Sequence, residues 1–132
     1  MSKLHRFHKD ICFPGWFEES IKLFIEKLSN KQLVCSYHAT KKYDSFSREY
    51  QKVIRDLLST TTISEELNKY IFEFAANKDT HEIKKVCYRF TMNELKCDVI
   101  FVVSSTGKVV TIFLNKNFDP HISLDRSLYE MQ

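Results

Sequence analysis

The sequence predicts an α+β fold, with N-terminal helices packed on a C-terminal antiparallel β-sheet, and three patterns carry that expectation. Phe17, Ile21, Phe24, Ile25 and Leu28 recur at spacings of 4, 3, 1 and 3, and Phe46, Tyr50, Val53, Ile54 and Leu57 repeat the same spacings. Each set draws one apolar stripe on an amphipathic helix. Near residue 80 the period changes from 3.6 to 2, which is the switch from helix to strand. Helices first and strands afterwards is the order of an α+β chain.

The elements follow in order. Residues 1–13 read as a basic, irregular lead, closed by Pro14-Gly15. The first helix covers about 16–29, with Glu18 and Glu19 in its first turn and Lys27 and Lys31 near its end, as the helix dipole favours. Ser29-Asn30 can close it. A short β-type stretch runs from Gln32 to Tyr37 around Val34. Asp44 or Ser45 can cap the second helix, and Ser59-Thr60-Thr61-Thr62 interrupts it. Ser64-Glu65-Glu66 starts a short third helix over 64–70, with Ser64 as N-cap, and a strand follows over 71–76. Val86, Tyr88, Phe90 and Met92 alternate with Lys85, Cys87, Arg89 and Thr91 in a half-buried strand. The continuous apolar run Val99–Val103 reads as a central strand. Ser104–Gly107 forms a hairpin loop in which Gly107 is free to take positive φ, and 108–115 is the partner strand. Residues 117–132 thin into a polar tail.

Composition bounds the function. A chain of 132 residues with 43% apolar residues has material for one core and reads as a single domain, 1–132. Two glycines are too few for a Rossmann loop or a P-loop, and no cofactor is implied. No apolar run approaches the roughly 18 residues of a membrane helix, so no membrane partner is expected. The start carries no apolar signal core, so the expected location is the cytoplasm, with Cys12, Cys35, Cys87 and Cys97 reduced. The net charge is only +3, yet residues 1–60 hold 11 Lys/Arg against 7 Asp/Glu while residues 61–132 hold 9 against 10. The basic front half suits a polyanion or is an ordinary solvated surface.

Chemistry is expected in few places. His38, within Ser36-Tyr37-His38-Ala39-Thr40-Lys41-Lys42, lies at a strand-to-helix junction beside two cations. An imidazole there can exchange a proton near neutral pH, and Lys41 or Lys42 can hold a phosphate; equally, all three can be plain surface residues. Arg89 either clamps a phosphate or carboxylate or covers its neighbours with its stem. Thr111 either lines a concave site or follows from β-propensity. His5 and His8 make half a metal site if their segment is helical, and no recognisable carboxylates complete it, so no metal is expected. Tyr37, Tyr43, Tyr50, Tyr88 and Phe90 offer stacking surfaces or belong to the core.

These residues carry a resemblance. His38-Ala39-x-x-Lys42, Ile63-Ser64-Glu65-Glu66, Val86–Phe90, the strand 99–103 and Thr106–Phe113 resemble motifs of small toxin-like domains in the barnase–EndoU–colicin–RelE group of metal-independent ribonucleases. The likeness spans about residues 38–115, roughly 60% of the chain. In this chain 24 residues separate His38 from Ile63, room for an extra helix. The resemblance implies a toxin-like or phage endoribonuclease in which an RNA 2′-oxygen attacks the adjacent phosphate. It implies His38 as general base or acid, Lys42 and Arg89 on the phosphate with Lys41 beside them, Thr111 positioning it, and Tyr88 as a further donor or base-stacker. The implied partners are RNA and a protein inhibitor of the antitoxin or immunity type. The alternative is a non-catalytic phage- or antitoxin-type protein that binds a host protein or nucleic acid, with Phe13, Trp16 and Phe17 as exposed anchors. The nuclease needs His38, Arg89 and Thr111 in one cleft; the binder does not.

Overall fold

A computed structural model describes residues 4–10, 13–28 and 33–116. In chain order the elements are β1 (Leu4–His8), α1 (Phe17–Leu28), β2 (Val34–Cys35), α2 (Tyr37–Asp44), α3 (Arg48–Thr60), a 3₁₀ turn (Glu65–Tyr70), β3 (Ile71–Asn77), β4 (Ile83–Met92), a 3₁₀ turn (Asn93–Leu95), β5 (Cys97–Ser104) and β6 (Lys108–Lys116). The class is α+β, as the change of period predicts.

The six strands form one sheet in the order β1-β3-β4-β5-β6-β2. Every pairing is antiparallel except β2 with β6, which is parallel. All three helices contribute to one apolar layer against the first face of the sheet. Phe17, Ile21, Phe24, Ile25 and Leu28 from α1, Ala39 from α2 and Ile54 from α3 meet Phe7, Phe74, Val86, Tyr88, Val99, Phe101 and Ile112. The α1 stripe is buried at every position its spacing marks. Burial of this apolar surface is the main favourable contribution to folding.

The second face carries a smaller cluster of Phe72, Cys87 and Ile100 with Val102 against it. A register shift between Ile71 and Glu73 turns Phe72 and Glu73 to this side, and a second shift between Val102 and Val103 skips Val110. The β5–β6 hairpin turns at Gly107 with φ 88°, as the sequence indicates.

Local differences have physical reasons. Leu4–His8 is not irregular but an edge strand, held by a partner 65 or more residues away in sequence, which local pattern does not show. The second helical stripe divides: Phe46 precedes α3, whose cap position is Ser47 rather than Asp44 or Ser45, and α3 runs on through Ser59 to Thr60. Their hydroxyls fold back onto the carbonyls of Asp56, so they are absorbed by the last helical turn. Ser64 stands before the first 3₁₀ turn, but its side chain makes no capping bond. The Ser29-Asn30 stop, Lys31, Gln32, Cys12 and the tail 117–132 lie outside the described residues.

Candidate functional site

The start of α2 is built from three bonds. The Ser36 N–H donates to the Val109 carbonyl at 2.9 Å, and its Oγ reaches the Val110 carbonyl at 3.3 Å. The same Oγ accepts from the Ala39 N–H at 3.1 Å, so Ser36 is a true N-cap. The junction is therefore pinned to β6, next to the parallel pairing of Val34 with Lys108. Ala39 points inward and is fully buried. That leaves Tyr37, His38, Lys41 and Lys42 exposed on the outer side of the helix. Helical geometry makes Tyr37–Lys41 and His38–Lys42 neighbours at i, i+4. Lys41 Nζ lies 4.8 Å from the centre of the Tyr37 ring, and Tyr37 is 76% exposed. The result is an aromatic face with a cation on it, a second cation and an imidazole, on one rigid turn.

Arg89 and Thr111 lie elsewhere. Arg89 stands opposite Ile100, which stands opposite Phe113; Thr111 stands opposite Val102, which stands opposite Cys87. Both rows belong to the second face, whereas α2 packs on the first. Arg89 Nε donates to Asp98 Oδ2, and both side chains are largely buried. Its guanidinium also lies 5.9 Å from the Phe72 ring centre. Arg89 is thus committed to a carboxylate within the fold. Tyr88 points the other way, into the core, and is 1% exposed. Its hydroxyl has no partner among the described residues, and burial pushes its pKa up. The residues that the resemblance implies as one cleft are divided: His38, Lys41 and Lys42 outside the helical layer, Tyr88 between helices and sheet, Arg89 and Thr111 beyond the sheet.

Other expectations meet the structure as follows. Phe17 is buried, and Phe13 and Trp16 pack against the core, so this trio is not an exposed anchor set. Trp16 stacks on His81 with ring centres 4.3 Å apart. His5 and His8 lie on a strand, where a spacing of three places them on opposite faces, so they do not form half a metal site. Among the described residues no group of three or more His, Cys, Asp or Glu is arranged to hold a metal ion. Cys35, Cys87 and Cys97 are free thiols. No described helix is long and apolar enough to cross a membrane.

Sequence reasoning missed a set of buried polar groups on the second face. His8, Glu73 and Asp98 are 0%, 7% and 3% exposed. His8 Nδ1 accepts from the Asp10 N–H at 3.1 Å, and Arg6 Nη2 binds Glu73 Oε2 at 3.0 Å. Glu73 Oε1 and Asp98 Oδ1 are buried without a hydrogen-bond partner among the described residues. The polar half of the β4 alternation was one sequence signal that this face carries charge. A glutamate in the apolar run Ile71–Ala76 and an aspartate before Val99 were the others.

No family model matches the chain, and neither does any curated protein or solved structure.

Proposed function

We propose that the protein binds single-stranded RNA through the outer side of α2, without cleaving it. The observation that carries this reading is the Tyr37 ring, three-quarters exposed with Lys41 Nζ over it, beside His38 and Lys42. An exposed aromatic next to cations suits an unpaired base stacked on the ring and its phosphates held by lysine. The basic front half of the sequence agrees with a polyanionic partner. Against catalysis stands the separation of His38 from Arg89 and Thr111 by the sheet, and the commitment of Arg89 to Asp98. A 2′-oxygen attack needs a base, an acid and a phosphate clamp around one phosphorus.

The test is fluorescence anisotropy of a labelled oligouridine with the full chain in EDTA. Saturable binding that weakens with salt and drops on Tyr37→Ala is the expected result. Absence of binding at low salt, or binding indifferent to Tyr37→Ala, overturns the reading. New 2′,3′-cyclic phosphate ends that vanish with His38→Gln replace it with the endoribonuclease.

A further inference from the structure

The second face of the sheet holds a hollow of about 380 Å³, lined by Leu4, Arg6, Glu73, Ala75, Lys85, Cys87, Val102 and Phe113. Its cause is local. Ala75 stands between Arg6 on β1 and Lys85 on β4 in one cross-strand row, so a methyl group lies between two long side chains. In the next row Glu73 faces Cys87, which faces Val102. The volume falls at the lower end of small-molecule sites, roughly 300–1,000 Å³.

Three features define what fits. First, the Glu73 side chain is 9% exposed, and its Oε2 takes both bonds from Arg6 while Oε1 has no partner among the described residues. A buried carboxylate oxygen without a donor is costly, so an N–H or O–H donor is the complement. Second, Lys85 lines the wall, is exposed, and has no ion-pair partner among the described residues. Third, Leu4, Ala75, Val102 and Phe113 supply an apolar wall.

We infer that this hollow binds a small monocarboxylic acid with an apolar body and one adjacent amide or hydroxyl donor. The carboxylate pairs with Lys85, the donor bonds to Glu73 Oε1, and the body lies on Val102 and Phe113. The Cys87 thiol forms wall and not nucleophile, since burial keeps it protonated. This site lies across the sheet from α2 and stands or falls independently of RNA binding.

N-acetyl-L-leucine is the probe: one carboxylate, one amide N–H and an isobutyl group. It is titrated into the full chain and followed by the backbone amide shifts of Ala75 and Lys85. Saturable shifts with a millimolar dissociation constant are expected. N-acetyl-L-leucine amide, which lacks the charge, and the surface variant Lys85→Gln should each weaken binding by about tenfold. Shifts that do not saturate overturn the inference. So do equal affinity for the uncharged amide and a Lys85→Gln variant that binds as well as wild type.

Discussion

Arg89 and Asp98 form an ion pair across neighbouring strands of the second face, and Asp98 contributes a second oxygen that no described group meets. Asp98 is 3% exposed, so its charge depends on Arg89 for compensation. Arg89→Ala should therefore destabilise the protein by about 3–5 kcal/mol. The double variant Arg89→Met/Asp98→Leu should recover most of that loss, because a buried pair replaced by apolar groups is often neutral. Urea unfolding midpoints of the three proteins decide it. A single variant as stable as wild type would show that the pair contributes nothing.

Tyr37→Ala should separate binding from folding. The ring is largely solvent-exposed, so stability should stay within about 0.5 kcal/mol of wild type. Loss of a stacked base should cost about 1–3 kcal/mol in RNA affinity. Thermal unfolding and anisotropy on the same preparation check both halves.

Lys41→Gln and Lys42→Gln should act on salt dependence. Each phosphate contact on a single strand contributes about 0.7 to the slope of log K against log salt. Each variant should lower the slope by about that amount and weaken binding evenly across RNA sequences. Titrations at several salt concentrations measure it. An unchanged slope would remove that lysine from the interface.

Tyr88→Phe should stabilise the protein. The ring is buried and its hydroxyl has no partner among the described residues, so the hydroxyl carries a desolvation cost without a compensating bond. Removing it should gain on the order of 1 kcal/mol in urea unfolding. A loss of stability of that size would mean that the hydroxyl is satisfied in solution.

Stability should fall on the alkaline side. The Cys87 thiol is pushed from 9.0 up to about 12, first by burial and then by the neighbouring Glu73 carboxylate. Below pH ~9 the thiol is protonated whether folded or unfolded, so its contribution is complete there. Between about pH 9 and 12 the unfolded chain has lost the proton and the folded chain has kept it, so stability drops as pH rises. The slope from this one group approaches about 1.4 kcal/mol per pH unit. Tyr88, also raised by burial, adds a loss in the same direction above its ordinary 10.0. Urea midpoints from pH ~8 to ~11 should show the decline, and Cys87→Ala should flatten its first part. An equal decline in Cys87→Ala would assign the effect to other groups.

Where one element's own side chains make a repeating pattern, the sequence was legible. The α1 stripe, the β4 alternation and the Gly107 turn each depend on near neighbours, and each stands where the pattern places it. Helix α2 escaped because eight residues with a single buried position, Ala39, draw no stripe. Strand β1 escaped because its reason to be extended is β3, far along the chain. The candidate site depended still more on distant contacts. Alternation in β4 already sends Tyr88 and Arg89 to opposite faces, but which face receives the helices is set by packing. Thr111 is the sharpest case. Counted by twos from the buried Val109, it belongs on the core face. The register shift at Val102–Val103 skips Val110 and carries Thr111 to the other side, opposite Val102. One extra residue inverts every side chain beyond it, and the bulge that adds it exists only once β5 and β6 are paired.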